Sequence, residues 1–369
     1  MVGSLLGKYG HDMTIASEFW RNRRVFITGH TGFKGSWLAL LLSKLGASVT
    51  GYALPPPTEL NLFELAHVAD ALHSIEGDVR NIDQLRTALR DARPEVVLHL
   101  AAQSLVRLSY SDPLGTFSTN IAGTINLLEA CRGVSTLKAI IVVTSDKCYE
   151  ESTVGHPYKE SDPLGGHDPY SASKACAEII TSAYQRSFFG DTSSPIRVAS
   201  VRAGNVIGGG DWATDRLVPD LICAIHAGKQ PLLRNPKATR PWQHVLDPIS
   251  GYLKLAEGLC MEDTHFAGAW NFGPKPDSTA TVETVAENIA LLWGASATWA
   301  IDPNTQLREA PMLALDSAKA EQYLDWKPQL DLNSTLAWTV SWYRRWHQGT
   351  NARELTIEQI NRFLDGTQK

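Results

Sequence analysis

Cysteine is scarce and unpatterned: the chain of 369 residues has five, at 131, 148, 176, 223 and 260. The number is odd and no two stand at Cys-x-x-Cys spacing, which argues against a disulfide framework and a structural zinc site. Charge of one sign is never concentrated. Lys and Arg total 34 against 39 Asp and Glu, the net charge is −5, and no dense basic run occurs. A nucleic-acid partner is therefore not expected. Long apolar runs are missing too, none reaching the ~18 residues that a bilayer-spanning helix needs. Residues 1–17 hold one Lys, one Asp and two short apolar patches, without the charged start, long apolar run and cleavage site of a signal peptide. They read as a loosely ordered extension, and the chain as soluble and cytoplasmic, with no metal.

What is present is an ordinary globular composition, 43% hydrophobic and 20% charged, long enough for one large domain or two. The chain is organised around Arg24 to Trp37. Val25 to Thr28 reads as a buried strand, glycines follow at 29, 32 and 35, and a helical apolar pattern begins at Trp37. Strand, glycine turn and helix in this order open a dinucleotide fold. Gly29 allows the tight turn, Gly32 admits backbone N–H groups to a pyrophosphate, and Gly35 lets helix and strand pack closely. Thr31, Phe33 and Lys34, in the same turn, are assigned to the cofactor with them. The helix N-terminus then meets the anion with its partial positive charge.

Ser48 to Tyr52 reads as a second strand, but neither the acidic residue of an NAD site nor the Arg of an NADP site follows it. Asp78, with Val79, stands in a turn where it meets the adenine or simply caps the turn. Glu95 to Leu100 is an apolar run ending in Ala101, Ala102 and Gln103, small enough at first to lie against a flat cofactor. Ala139 to Thr144 is a further strand without polar alternation. Such runs separated by helical patterns predict a doubly wound α/β fold with a parallel sheet covered on both faces.

Chemistry in this fold sits beyond the carboxyl ends of the strands. Two clusters stand there: Thr144, Ser145, Asp146 and Lys147, and the helix start that carries Tyr170 and Lys174. Tyr170 and Lys174 share one helix face, and an ammonium beside a phenol favours the phenolate, giving a base for a sugar hydroxyl. An exposed helix start would show the same spacing.

The glycine turn and the Tyr170-x-x-x-Lys174 pair together resemble the extended short-chain dehydrogenase/reductase superfamily, and within it the nucleotide-sugar 4,6-dehydratases. The branch acting on CDP-glucose fits best, on residues 29–37, 144–149, 162–174, 202–212 and 240–247. The resemblance covers roughly residues 19 to 345 and implies a Rossmann fold, NAD as cofactor and a nucleotide-sugar substrate. It implies that Ser145 binds the sugar 4-OH, that Tyr170 is the base for C4 oxidation, and that Lys174 holds the nicotinamide ribose. Asp146 becomes the acid for the departing C6 hydroxyl. Related dTDP-glucose enzymes carry Glu where this chain has Lys147, which can remove the C5 proton only as a neutral amine. Nearby Lys174 and the charged cofactor ring push it that way.

Asn205 and the three glycines at 208–210 begin the substrate region, to which Arg216 is also assigned. By the resemblance Arg240 and Arg308 contact the nucleotide phosphates, a task suited to guanidinium forks; a solvated surface Arg is the plain alternative. His99, His244, Trp270 and Trp326 are expected in packing. The expected organisation is an extension at 1–17, a dinucleotide domain at 18–202 rejoined by 241–274, a smaller α/β substrate domain from 203–240 and 275–345, and a helical tail at 346–369. Family members pair through two helices, so a homodimer or homotetramer is implied. The competing readings are a nucleotide-sugar 4-epimerase, a dehydratase of another nucleotide sugar, and a non-catalytic NAD-binding regulatory protein. The Asp146-Lys147 pair argues against the epimerase, which needs no acid to expel water.

Overall fold

The computed structural model describes residues 15–151, 156–190, 194–261, 264–296, 298–302 and 314–366. Most of the 1–17 extension and Arg308 lie outside the described residues.

Strand β1 (Arg24–Thr28) turns into helix α1 (Phe33–Lys44), and the chain then alternates through β2 (Ser48–Ala53), β3 (His73–Glu76), α2 (Ile82–Ala92), β4 (Val96–His99), α3 (Gly123–Cys131), β5 (Ala139–Val143), α4 (Pro169–Tyr184) and β6 (Arg197–Arg202). Beyond β6 come β7 (Asn205–Ile207), α5 (Leu217–His226), β8 (Leu232–Leu233), β9 (Thr239–His244), α6 (Leu246–Cys260) and β10 (Gly268–Asn271). The chain continues through β11 (Thr279–Thr281), α7 (Val282–Trp293), β12 (Ala300–Ile301), α8 (Leu332–His347) and α9 (Ala352–Leu364). The main sheet has seven strands in the order β10-β6-β5-β4-β1-β2-β3, with every pairing parallel. The doubly wound sheet is as expected, and β10 returns to its edge from far along the chain.

The strands are apolar throughout because both faces are covered. In β5, Ile141 and Val143 point into the layer of Trp37, Leu41 and Tyr252. Ile140 and Val142 point oppositely, to Leu127, Leu128 and Val198. Alternate side chains thus enter two separate cores, each large aliphatic contributing about 1.5–3 kcal/mol on burial. His99, His244, Trp270 and Trp326 are all buried in these layers.

The second region holds a three-stranded sheet, β11-β9-β7, and the short pair β12-β8. Helix α8 closes over it, with Trp212 edge-on to Trp342, Tyr343 and Trp346. The loop of three glycines is a close approach: a Cβ at Gly209 would stand 2.1 Å from the Trp342 ring. The Gly209 carbonyl accepts from Trp37 Nε1 at 2.9 Å, tying α1 to this loop.

Helix starts differ in one telling way. Asp168, Asn81 and Asp331 cap α4, α2 and α8 with their own side chains, accepting from Ser171, Gln84 and Ser334 N–H groups. Helix α1 begins at Gly32, which has no side chain to offer. Its first N–H groups are left facing whatever enters the cleft.

Candidate active site

A cleft of about 600 Å³ lies over the carboxyl ends of β1, β2, β4, β5 and β6. That is the size of a small-molecule site and the place where such sheets bind ligands. The glycine turn forms one wall. Gly29 has φ +77°, and a Cβ there would lie 2.7 Å from the Ala101 nitrogen, so β1 and the end of β4 approach as only glycine allows. A Cβ on Gly35 would meet the Gly29 carbonyl oxygen at 2.1 Å, which fixes α1 against the turn. Gly32 meets nothing closer than 3.4 Å and serves by leaving room. The end of β2 lines the cleft with Ala53, Leu54, Pro55, Pro57, Thr58 and Asn61, and Thr31 Oγ1 donates to the Leu54 carbonyl at 2.8 Å. An uncapped helix start, apolar walls and a glycine turn fit a dinucleotide well.

Most expected cofactor residues line this wall: Gly29, Thr31, Gly32, Phe33, Lys34, Gly35, Asp78, Val79, Ala101 and Ala102. Gln103 is not among them. Its amide is used internally, donating to Leu105 O and Thr116 and accepting from Leu105 N at 2.6 Å, because the chain must turn there into a helix. Asp78 is a turn residue with its carboxylate engaged: it accepts from Arg80 N at 2.8 Å and from the Arg80 guanidinium. Lys34 is half-buried, and loss of solvation, then repulsion from Arg216 and Lys174, brings its amine down to about 8.

The reacting groups meet on the floor. Tyr170 and Lys174 project from the first two turns of α4, both buried, and Lys174 Nζ donates to the Val143 carbonyl at 3.2 Å. Burial brings the Lys174 amine down to about 8 while Glu178 acts upward. The Tyr170 phenol is pushed up to about 12 by burial, with its hydrogen bond to Ser145 acting downward. The expected depression by Lys174 is therefore not the prevailing effect in the free chain, since that amine is directed at the strand carbonyl. Ser145 Oγ donates to Asp146 Oδ1 at 3.0 Å and accepts from Lys147 N at 3.2 Å. Asp146 is buried, its second oxygen has no partner, and burial raises its carboxyl while Lys147, Ser145, Arg240 and Lys34 oppose. Gly204 makes space for that oxygen; a Cβ would lie 2.9 Å from it. Lys147 lines the same cleft.

The opposite wall comes from the second region. Asn205, Arg216 and Arg240 all line it. Arg216 pairs with Asp211 at 2.8 Å and donates to Ser104 at 2.9 Å. Arg240 is buried in β9 and donates to its own strand at Thr239 O. Sequence reasoning missed Arg234, 3.3 Å from Asp215 and 3.7 Å from Asp220. Asp215 also binds Arg107 at 3.0 Å across the mouth and has φ +63°. No local pattern marks Arg234; only the fold of β8 beside α5 brings it to the cleft. Glu178 and Arg202, under the floor, were missed too, although Glu178 stands one turn after Lys174 on the same helix face.

Such a floor, with a hydroxyl, a phenol and an ammonium beside a dinucleotide wall, defines an extended short-chain dehydrogenase/reductase. The sequence model described as GDP-mannose 4,6 dehydratase matches residues 26–339, and the chain belongs to that family. The CDP-glucose 4,6-dehydratase of Salmonella typhimurium is 45% identical over 356 residues, covering 96% of this chain and 99% of that protein. Among solved structures, the UDP-glucose 4-epimerase of Thermotoga maritima with UDP-glucose superposes with a TM-score of 0.77 at 22% identity, covering 88% of this chain and 99% of that one. The dTDP-glucose 4,6-dehydratase of Streptomyces venezuelae, with NAD and TYD bound, gives 0.73 at 25% identity, covering 87% and 97%. Among the described residues no helix is long and apolar enough to cross a membrane.

Proposed function

We infer that this chain is a CDP-glucose 4,6-dehydratase, converting CDP-D-glucose to CDP-4-dehydro-6-deoxy-D-glucose for deoxysugar synthesis. The observation that carries the reading is Asp146, a buried carboxyl with one unpartnered oxygen, beside the Ser145, Tyr170 and Lys174 set. A carboxyl whose hold on a proton is strengthened by burial, next to a sugar-oxidising set, suits the acid that water expulsion requires. The likeness to the Salmonella enzyme supports CDP-glucose as the substrate.

NAD, when bound, would supply a hydride acceptor for C4 and a hydride donor for C6, with no net oxidation. Gly29, Thr31, Gly32, Phe33, Lys34, Gly35 and Lys174 would hold it, and the uncharged end of β2 suits a ribose without a 2′-phosphate. Ser145 orients the sugar 4-OH and Tyr170 takes its proton. The phenol, high in the free chain, then needs a positive charge nearby to ionise. With C4 a ketone, the C5 proton is acidic enough for a base to remove, and Lys147 is assigned that task. Asp146 gives a proton to the C6 hydroxyl, which leaves as water. Arg216, Arg234 and Arg240 supply guanidinium groups on the nucleotide side. We also assign the outer faces of α3 and α4, where Ile125 and Ile179 are exposed, to pairing between copies; sedimentation of an Ile179→Glu variant tests this.

Mass spectrometry of the products from CDP-, dTDP-, UDP- and GDP-glucose with NAD tests the main reading. Loss of one water from CDP-glucose alone is expected. Loss from a different nucleotide sugar sinks the CDP assignment, and an unchanged mass with altered stereochemistry makes the chain an epimerase.

A further inference from the structure

Beneath the reacting set lies a second layer of charge that no step of the reaction consumes. Glu178 and Arg202 pair at 2.7 Å with side chains 2% and 3% exposed. The Glu178 carboxylate accepts from the Thr144 hydroxyl and from Ser200 Oγ at 2.7 Å. Arg202 donates to Tyr149 OH at 2.6 Å, which in turn donates to Asn271 Oδ1 at 2.8 Å on β10. One carboxylate thus ties together the end of β5, where Ser145 follows Thr144, the end of β6, where Gly204 borders Asp146, and the helix bearing Tyr170 and Lys174. A buried pair of this kind adds little net stability over apolar residues of the same volume. Holding up the core therefore does not account for it.

We propose that Glu178, balanced by Arg202, is a positioning residue of this site: it clamps the three elements that carry Ser145, Asp146 and Tyr170, and sets a negative charge one helical turn behind the Lys174 ammonium. The proposal rests on reading Tyr170 and Lys174 as the reacting pair. The groups acting on that amine are Glu178 on its own helix and Cys148 after β5. Lys34 on α1 and His99 on β4 also feel its charge. His99 is held neutral by burial, and burial suppresses the Cys148 thiolate. Glu178 is then the negative charge left to hold the proton on Lys174, and Arg202 limits its effect.

Arg202 is not among the groups that act on that amine directly; as the cation paired with Glu178 at 2.7 Å it is expected to offset the carboxylate's charge, so the two partners should act on Lys174 with opposite sign. The test is the pH dependence of NAD affinity and of kcat in the wild type, Glu178→Gln, Arg202→Met and the double variant. In Glu178→Gln the alkaline limb moves about one unit toward acid, and in Arg202→Met it moves toward alkali. The double variant falls between Glu178→Gln and the wild type, and because it buries no lone charge it decides the matter if Arg202→Met does not fold. Thr144→Val, which removes a hydroxyl and no charge, lowers kcat about tenfold with the limb in place. Limbs that coincide, or move in the same direction in both single variants, overturn the proposal and leave the dehydratase reading standing. Shifted NAD-affinity limbs in a protein that dehydrates no sugar sustain the proposal and remove the dehydratase.

Discussion

On the sheet side of the cleft, ligand groups come from strand ends within a few residues of the apolar runs that bury them. On the other side, Arg216, Arg234 and Arg240 arrive from a helix start and two strands of the second region. The first wall works largely through backbone: glycine space, N–H groups and the Val143 carbonyl. The second presents guanidinium groups, Arg216 held by Asp211 and Arg234 by Asp215 and Asp220. Backbone groups are placed by secondary structure alone, whereas long side chains need partners to hold them in one rotamer. Chemistry should therefore be concentrated on the first wall and binding on the second.

The largest effects expected are on the floor. Tyr170→Phe should lower kcat by about 10²–10⁴-fold while CDP binding, measured by calorimetry, stays within a factor of about two. Comparable losses in both would blur the two walls. Asp146→Asn should oxidise C4 yet fail to lose water, and its bound sugar, trapped by reduction, should keep its full oxygen count. Lys147→Met should abolish exchange of the C5 proton with D₂O. Exchange at the wild-type rate would remove Lys147 as the C5 base.

Glycine substitutions sharpen the comparison at the next level. Gly35→Ala forces a methyl to 2.1 Å from a backbone oxygen and should cost about 1–3 kcal/mol, with NAD affinity lost. Gly228→Ala, on the loop after α5, has open space and only its φ of +65° to strain it. A cost of about 1 kcal/mol or less, with NAD affinity kept, is expected in denaturant titration.

On the binding wall, Arg234→Ala should raise KM for the nucleotide sugar about tenfold with kcat nearly unchanged. A fall in kcat instead would place Arg234 in the chemistry. The smallest effect lies away from both walls. Burial holds the Glu257 carboxyl up at about 7, with Trp20 Nε1 donating to it at 2.6 Å. A carboxyl whose folded pKa lies above its unfolded one favours folding below the unfolded value. That contribution is lost as pH rises through about 7. Glu257→Gln should flatten the decline of melting temperature between pH 5 and 8.

Residues whose role follows from nearest neighbours were legible in the chain itself. Gly29, Gly32 and Gly35 lie between a β-branched run and a helix pattern, and Tyr170 and Lys174 stand one turn apart on a capped helix. Ser145 and Asp146 directly follow a buried strand. The period of the apolar pattern supplied the parallel sheet, because strands covered on both faces cannot alternate. The internal bonds of Gln103 were not legible, because a polar residue after a strand end looks the same whether it faces a ligand or closes a turn.

Long-range geometry decided what remained. The direction of Lys174 toward Val143 depends on β5 ending beneath α4, and the high Tyr170 phenol depends on the burial of that ring. The pairing of Glu178 with Arg202 needs α4 packed across β6. Arg234 reaches the cleft only because Asp215 and Asp220, folded beside β8, hold it there. The sequence alone determined which backbone segments end at the cleft, since those are set by local sterics and burial. Tertiary structure alone decided which charges face one another, since a Coulomb interaction depends on distance in space and on burial, and neither is written in chain order.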